Sequence, residues 1–251
     1  MSDWYRDVQQ FNRQRIPAAT VTVIRGRGLG GKMVVTADTQ TGSLGESELD
    51  ELAGSVALEA LASRTSTITT LANDIDVFVE VFPVDPQLII VGAVHVAQAL
   101  IPMARSLGFH IVVADARSQL ATADRFPDVD ELIVAWPEDA FRELQVSNDA
   151  AIVILTHDPK FDEPALLSAL ATDAMYIGAV GSRSTNADRR DRLRAAGASD
   201  DQLARIHGPI GLDIGGKSPE EMAISILAEI IAVRNGRAGT SLAAASGAIR
   251  A

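Results

Sequence analysis

Several ionisable side chains lie just beyond apolar runs of the sequence. His157 and Asp158 follow the run 150–155, and His95 lies shortly after the run 87–91. Imidazole and carboxylate groups at such positions can exchange protons or bind a polar ligand, and an aspartate can cap the next helix. We favour ligand binding by His157 and Asp158, because polar residues at strand ends concentrate in functional sites. The histidines lack the close spacing of metal ligands, so no metal site is predicted.

The segment around Gly92 is a partial dinucleotide fingerprint. In the pattern G-x-G-x-x-G, glycines let the backbone approach a pyrophosphate at the start of a helix. Gly92 and Ala97 occupy the outer positions, whereas Val94 takes the place of the middle glycine. Asp115 follows Gly92 by 23 residues, close to the spacing of about 20 expected for an acid that binds a ribose. The pattern therefore favours the fold more strongly than it favours an NAD(P) site.

Two further glycine-rich segments resemble anion-binding loops. The sequence GAVGSR at 178–183 follows a strand predicted at 174–177, and IHGPIGLDIGGK at 206–217 precedes a helix. Amides of glycine-rich turns, an arginine and a helix N-terminus suit a phosphate. Arg183 is assigned to the ligand for this reason. The other arginines of the helix predicted at 185–196 are assigned to a solvated helix face (Arg189, Arg190, Arg192 and Arg194).

These residues require a sheet that brings strand ends together. Five predicted strands alternate with helical segments, at 87–91, 110–114, 131–135, 150–155 and 174–177. Such alternation predicts a Rossmann-like, doubly wound parallel sheet, here in the order 3-2-1-4-5. Ligands bind outside the carboxyl ends of the strands at the switch point, between the first and fourth strands. We therefore expect His95, His157 and Asp158 to line one crevice.

The residues before this sheet predict a smaller α+β domain. It combines helical segments at 3–14 and after Ser47, a predicted N-cap, with strands at 19–24, 32–37, 66–71 and 77–83. The glycine-rich loop 25–31 is either a flexible hairpin loop, the interpretation we favour, or an anion site formed with its two arginines. The predicted division is 1–83 for this domain, 87–235 for the Rossmann-like domain and 236–251 for a disordered tail.

Composition narrows the function classes. A net charge of −11 and only 4% aromatic residues argue against nucleic-acid or anionic-membrane binding. The chain has no cysteine, which excludes disulfides, thiolate nucleophiles and cysteine-ligated metals. The first residues contain no apolar run and no stretch approaches the length of a membrane span. We expect a cytoplasmic protein, with a homodimer as the default assembly.

Four motifs in the same order resemble the XdhC/CoxI family of accessory proteins for xanthine dehydrogenase and related molybdenum hydroxylases. They are IVGAVHVAQAL at 90–100, LTHDPKFD at 155–162, YIGAVGSR at 176–183 and HGPIGLDIGG at 207–216. The resemblance covers nearly all of 87–234, and the front domain matches in weaker form. The sequence departs from the family pattern at two places. Val94 stands where a glycine is usual, and in Asp115-Ala116-Arg117 a single acid replaces the acidic pair that usually precedes the arginine.

The resemblance implies a chaperone that binds the molybdenum cofactor, protects it during sulfuration and delivers it to an apo molybdenum hydroxylase. The resemblance also implies that the sulfur donor is a separate cysteine desulfurase. Because the chain has no cysteine, the sulfur would pass directly to the bound cofactor. No catalytic residue is assigned. The predicted cofactor-binding residues are Gly92, Ala93, His95, Asp115, Arg117, Thr156, His157, Asp158, Gly178, Gly181, Ser182, Arg183 and Asp213.

Two other functions stay open. One is an NAD(P)-dependent oxidoreductase that uses His157 or His95 as an acid or base beside the nicotinamide; Val94 counts against it. The other is a non-catalytic assembly protein, a subunit with an empty nucleotide site. Cofactor binding would distinguish the chaperone from both, and nicotinamide binding would favour the oxidoreductase.

Overall fold

A computed structural model of the chain describes residues 3–244, without the side chains of Asp3 and Asn73. The chain forms two compact units, and the division between them falls between Val84 and Asp85. Each unit has its own hydrophobic core. Within residues 3–244 no helix is long and apolar enough to cross a membrane.

The N-terminal unit is a five-stranded antiparallel sheet with two α-helices. Its elements are α1 (Asp3–Arg13), β1 (Ala18–Arg25), β2 (Lys32–Val35), β3 (Gln40–Ser43), α2 (Ser47–Ser63), β4 (Thr67–Leu71), a short 3-10 helix (Ala72–Asp74) and β5 (Ile75–Phe82). The strand order is β3-β2-β1-β5-β4. Valines and other apolar residues of the strands pack with small side chains of α2, such as Ala53 and Ala57, in one core cluster. Small residues let the helix approach the sheet closely.

Two predictions for this unit were wrong in detail. β3 lies between the strand predicted at 32–37 and the helix predicted after Ser47, where no strand was predicted, and it pairs with β2. Ser47 is the first helical residue rather than the N-cap, a position that Glu46 occupies without a side-chain cap bond. The carboxylate of Asp50 instead accepts a hydrogen bond from the amide of Leu44, at 2.6 Å, and another from the hydroxyl of Ser43, at 2.7 Å. The turn before α2 is therefore held by an acid inside the helix.

The glycine-rich loop between β1 and β2 is a hairpin loop whose arginines have carboxylate partners. Arg25 pairs with Asp76 at 2.7 Å, and Arg27 contacts Glu46. The amide of Gly30 donates to the carbonyl of Val23 at 2.9 Å. These contacts favour the hairpin interpretation over an anion site.

The C-terminal unit is a six-stranded parallel sheet with helices. Its elements are β6 (Gln87–Val91), α3 (His95–Ser106), β7 (His110–Ala114), β8 (Glu131–Ile133), α4 (Pro137–Glu143), β9 (Ala151–Ile154), α5 (Pro159–Leu170), β10 (Tyr176–Ala179), α6 (Arg183–Ala195), α7 (Asp200–Ala204), β11 (Ile206–His207) and α8 (Pro219–Arg234). The order β11-β10-β9-β6-β7-β8 confirms the predicted Rossmann-like arrangement and adds one edge strand. The four inner strands are buried on both faces, as their apolar runs require.

Several boundaries in this unit differ from the prediction. α5 begins at Pro159, because Asp158 caps its first turn and a proline suits the first helical position. β10 runs from Tyr176 to Ala179, so Gly178 lies inside the strand and not in a loop after it. The short elements α4, α7 and β11 had no counterpart in the prediction. Residues 236–244 contain turns but no helix or strand, and the rest of the predicted tail lies outside the described residues.

Candidate functional site

The carboxyl ends of β6 and β9 approach each other closely at Gly92. This glycine has φ +119°, and a Cβ atom added to it would lie 3.0 Å from Cγ2 of Thr156 and 3.2 Å from the carbonyl carbon of Leu155. A side chain at this position would be strained and crowded. His95 is exposed and is the first residue of α3. The structure therefore brings Gly92 and Thr156 together at the predicted switch point.

Asp115 is buried and its two carboxylate oxygens are already engaged. They accept hydrogen bonds from the amide of Ala93, at 2.7 Å, and from the amide, Nε and Nη2 of Arg117, at 2.9, 2.9 and 2.6 Å. Burial raises the pKa of Asp115, but hydrogen bonds from Arg117 and Ala93 and the charge of Arg117 outweigh it and hold the pKa below its usual value. Asp115 thus connects the turn after β6 to the turn after β7.

Two stacked aromatic rings lie beside Arg117, the partner of Asp115. The rings of Trp136 and Phe161 are stacked with centroids 5.0 Å apart, and the guanidinium of Arg117 lies 5.6 Å from the Phe161 ring centre. The pocket that remains among Asp115, Thr156, Phe161 and neighbouring side chains measures about 10 Å³. Such a volume is about the minimum that admits one water.

The segment after β9 has one buried and two exposed polar residues. Thr156 is buried, and its hydroxyl donates to the carboxylate of Asp162. His157 and Asp158 are exposed, and Asp158 accepts a hydrogen bond from the amide of Lys160 at 3.1 Å. The structure thus shows the capping role for Asp158. A ligand contact by His157 or Asp158 stays a prediction.

A buried ion pair connects the segment after β9 to the segment after β10. Arg189 and Asp162 are each 2% exposed, with 2.8 Å between Nη2 and Oδ2. Nη1 of Arg189 also donates to the carbonyl of Val180, at 2.9 Å, and to Oδ1 of Asn186, at 2.6 Å. The assignment of Arg189 to a solvated face was therefore wrong. The spacing of the buried residues Asn186, Arg189 and Leu193 matches one face of a helix and was the available signal.

A cavity of about 510 Å³ lies at the carboxyl end of β10. It is lined by residues 180–183 except Ser182, by 209–216 and by three side chains of α8 (Met222, Ser225 and Ile226). Gly181, Arg183 and Asp213 of the predicted set all contribute to this lining, and Arg183 and Asp213 are exposed. The structure brings these three residues together.

Two other predicted residues have structural roles beside the cavity. Ser182 is the N-cap of α6 and accepts a hydrogen bond from the amide of Thr185 at 3.1 Å. Gly178 is buried, and a Cβ atom there would collide with the side chain of Ile210 and the hydroxyl of Tyr176. The lack of a side chain at Gly178 therefore leaves space for Ile210 and the Tyr176 hydroxyl, and not for a ligand.

Glu229 of α8 anchors the cavity wall and was missed by sequence reasoning. Its carboxylate accepts from the hydroxyl of Tyr176 at 2.5 Å and from the amide of Gly211 at 2.8 Å, and lies 3.3 Å from Nδ1 of His207. Burial raises the pKa of Glu229, but hydrogen bonds from His207, Tyr176 and Gly211 hold it below its usual value. An ionised carboxylate only accepts, so Nδ1 of His207 carries the hydrogen. A single acid within the apolar run AISILAEIIAV was the available signal.

The donors around the cavity suit an anionic organic ligand better than a metal ion. Arg183 provides a cation in the lining. The amides of Ile210, Gly211 and Leu212 already donate to acceptors within the chain. A Cβ atom at Gly215 would meet nothing within 4 Å, so the wall is open at that position. Within the described part of the chain, no three histidine, aspartate or glutamate side chains are grouped to hold a metal.

Comparisons with known proteins agree with this architecture. The chain is 28% identical over 255 residues to "Uncharacterized protein YqeB" of Escherichia coli (94% of this chain, 47% of that protein). It is 33% identical over 159 residues to a probable xanthine dehydrogenase subunit of Bacillus subtilis (63% and 46%). It is 30% identical over 121 residues to "Molybdenum cofactor insertion chaperone PaoD" of Escherichia coli (48% and 37%). The chain thus spans less than half the length of these relatives.

A solved structure and a family model complete the comparison. A crystal structure described as a xanthine dehydrogenase from Bacillus halodurans superposes with a TM-score of 0.55 and 22% identity, over 98% of both chains. This likeness concerns the fold alone. The model of the XdhC Rossmann domain matches residues 88–230, more than half of the chain and nearly all of the parallel sheet with its helices. The chain therefore belongs to the XdhC family.

Proposed function

We propose that this chain binds the molybdenum cofactor and inserts it into a molybdenum hydroxylase of the xanthine dehydrogenase type. The observation that carries this proposal is the cavity at the carboxyl end of β10, because parts of both glycine-rich motifs, 180–183 without Ser182 and 209–216, line it. Relatives named as a cofactor insertion chaperone and as part of a probable xanthine dehydrogenase support the same class of cargo and partner.

We further assign residues 1–83 to the family's N-terminal domain.

The chemistry of the cavity suits this cargo. The molybdenum cofactor is a pterin that carries a dithiolene and a phosphate, so it needs a cation and amide donors at one end and hydrogen-bonding partners for its ring. Arg183 and Asp213 both line the cavity. In this proposal Arg183 binds the phosphate and Asp213 accepts from the N–H groups of the pterin. Apolar side chains of Ile210, Met222 and Ile226 would shield the ring from water.

The chain holds the cargo and does not supply sulfur in this proposal. It contains no cysteine, so none of its residues can carry a persulfide. A cysteine desulfurase would therefore act directly on the bound cofactor. The oxidoreductase alternative is not favoured, because the pocket beside Asp115, which Phe161 lines, measures only about 10 Å³.

A transfer assay tests the function. The purified chain is loaded with molybdenum cofactor released from a denatured hydroxylase and mixed with an apo enzyme of the xanthine dehydrogenase type. We expect activity to appear faster than with the same amount of free cofactor. Binding of the apo enzyme without binding of the cofactor would instead support the role of a non-catalytic assembly protein, and binding of NAD(H) alone would support the oxidoreductase.

Reversing the charge at Arg183 is expected to weaken cofactor binding tenfold to a hundredfold. A hydrogen bond to a charged group contributes about 1.5–3 kcal/mol, and each 1.4 kcal/mol is about a factor of ten in affinity. The measurement is a fluorescence titration of Arg183→Glu, with Arg192→Glu on the same helix as the control. Arg192 contacts Glu163 and does not line the cavity. Equal affinities for the two variants would remove Arg183 from the site.

Replacing both His157 and Asp158 with alanine is expected to reduce cofactor affinity while the unit stays folded. Both side chains are exposed, so little packing is lost. Affinity comes from the same titration, and folding is checked by thermal melting. If affinity is unchanged, the assignment of these two residues to the site is wrong.

A further inference from the structure

We propose that four residues make the site selective for the form of the cofactor that ends in a single phosphate. These residues, Asp115, Arg117, Trp136 and Phe161, are called the closing cluster. In this proposal they exclude the form in which a nucleotide is attached through a pyrophosphate, and they exclude NAD(P) for the same reason. The inference rests on the proposed function, since it concerns which form of that cargo the site accepts.

The sheet order defines two halves of the site. In doubly wound folds a dinucleotide lies across the switch point, with one nucleotide on each side. Here one half lies at the carboxyl ends of β6, β7 and β8, and the other lies at those of β9, β10 and β11. A pterin cofactor that is extended by a nucleotide would need both halves. A pterin with a single terminal phosphate needs only one half.

The half at β6, β7 and β8 is closed by the chain's own side chains. Each carboxylate oxygen of Asp115 already accepts two hydrogen bonds, so a ribose hydroxyl would have to compete with Arg117. The guanidinium of Arg117 lies over Phe161, whose ring is stacked on Trp136. The pocket that Asp115 and Phe161 line beside these contacts measures about 10 Å³, which is too small for a base.

The position of Phe161 follows from the sequence around it. Asp158 caps α5 and Pro159 starts it, so Phe161 lies in the first helical turn directly after β9. It is 8% exposed, and Lys160 adds a second cation 4.8 Å from its ring centre. Two cations, Arg117 and Lys160, therefore lie close to the Phe161 ring. Val94 in place of the middle glycine further restricts the approach of a pyrophosphate to the turn after β6.

The other half is open. Its cavity of about 510 Å³ lies within the range of small-molecule sites, about 300–1,000 Å³. Arg183 and Asp213 provide one charge of each sign there. The phosphate and the pterin ring of the single-phosphate form therefore have partners in the open half. An attached nucleotide would have none in the closed half.

Equilibrium titrations of the full chain test this selectivity. The ligands are the molybdenum cofactor with one terminal phosphate, the cofactor extended by cytidine monophosphate, and NAD⁺. We expect the extended form to bind at least tenfold more weakly than the single-phosphate form, and NAD⁺ to show no saturation at 1 mM. Equal affinity for the two cofactor forms would overturn the inference while leaving the proposed function intact. If neither form binds, the proposed function fails and the inference fails with it.

Substitutions in the closing cluster test whether its side chains exclude the extended form of the cofactor. Phe161→Ala should bring the two affinities to within about threefold of each other, and the exposed Arg142→Ala on α4 is the control. Because loss of a buried ring can impair folding, Arg117→Ala is a second opening variant; its side chain is 39% exposed. It frees Asp115 for a ribose hydroxyl and should also raise the affinity for the extended form. An unchanged ratio of affinities in both folded variants would contradict the role of the cluster.

Discussion

Replacing Arg189 with methionine is expected to destabilise the C-terminal unit by about 3–5 kcal/mol, the usual cost of removing one partner of a buried ion pair. The side chains of Arg189 and Asp162 are each 3% exposed. Without the guanidinium, the carboxylate of Asp162 keeps the hydroxyl of Thr156 as a partner but has no charge beside it. The carbonyl of Val180, at the edge of the cavity, also loses its donor.

Thermal melting of the full chain measures this effect. For a unit of this size each 1 kcal/mol shifts the melting temperature by roughly 2–4 °C, so the expected decrease is roughly 6–20 °C. Arg192→Met on the same helix is the matched control, because its ion pair with Glu163 is partly exposed and such pairs contribute at most about 1 kcal/mol. The double variant Arg189→Met with Asp162→Asn should recover part of the loss, since no buried charge then remains. Equal melting temperatures for Arg189→Met and Arg192→Met would contradict this account of the ion pair.

Replacing Glu229 with alanine is expected to cost about 2–4 kcal/mol and to weaken cofactor binding at least tenfold. Hydrogen bonds to a charged group contribute about 1.5–3 kcal/mol each and are not additive. Glu229 is the acceptor for the buried Tyr176 hydroxyl and for the amide of Gly211. Its loss would release residues 207–216, which form a wall of the cavity. Urea unfolding gives the stability, and the cofactor titration gives the affinity.

The charge of Glu229 makes part of this effect depend on pH. The pKa of Glu229 is lowered in the folded chain, so the unfolded chain binds its proton more readily and the stabilisation is greatest above the ordinary glutamate value of about 4.3. It is lost as the pH falls through the lowered folded value. Glu229→Gln keeps an acceptor oxygen but has no charge. The difference in unfolding free energy between wild type and Glu229→Gln should therefore shrink as the pH is lowered from 7 to about 3.

The exposed first-turn residue Glu220 of the same helix provides the control for the measurement of cofactor affinity. Glu220→Gln removes the same charge without touching residues 207–216, so it should leave cofactor affinity unchanged. An alanine at 229 that leaves the affinity equal to wild type would show that the anchoring of Gly211 does not matter for binding.

The parallel sheet was predictable because each of its inner strands is a short apolar run followed by a turn. Strands that are buried on both faces require apolar residues at nearly every position. Their alternation with helices then predicts the order of the strands in the sheet. The N-terminal strand β3 was not predictable in this way. Its residues, QTGS, are all exposed and carry no apolar pattern, so pairing with β2 decides their conformation.

The candidate site was predicted in part. Gly181, Arg183 and Asp213 line the cavity, and they were identified by type and by position after a strand or within a glycine-rich motif. The hydrogen bond from the amide of Ala93 to Asp115 and the stacking of Trp136 on Phe161 depend on contacts between segments that are far apart in the chain. Spacing along the chain does not report such contacts. Charge alone predicts exposure for Arg189, and no motif singles out Glu229, whereas hydrogen-bonding partners surround both side chains.

Hydrogen exchange of backbone amides tests most directly whether the cavity at the carboxyl end of β10 holds the cargo. The full chain is compared with and without saturating molybdenum cofactor, and exchange is read segment by segment. We expect slower exchange in 181–183 and 209–216, with residues 131–143 unchanged because the crevice beside them is closed. Cofactor binding that leaves 209–216 unprotected, or that protects only 131–143, would contradict the assignment of the site.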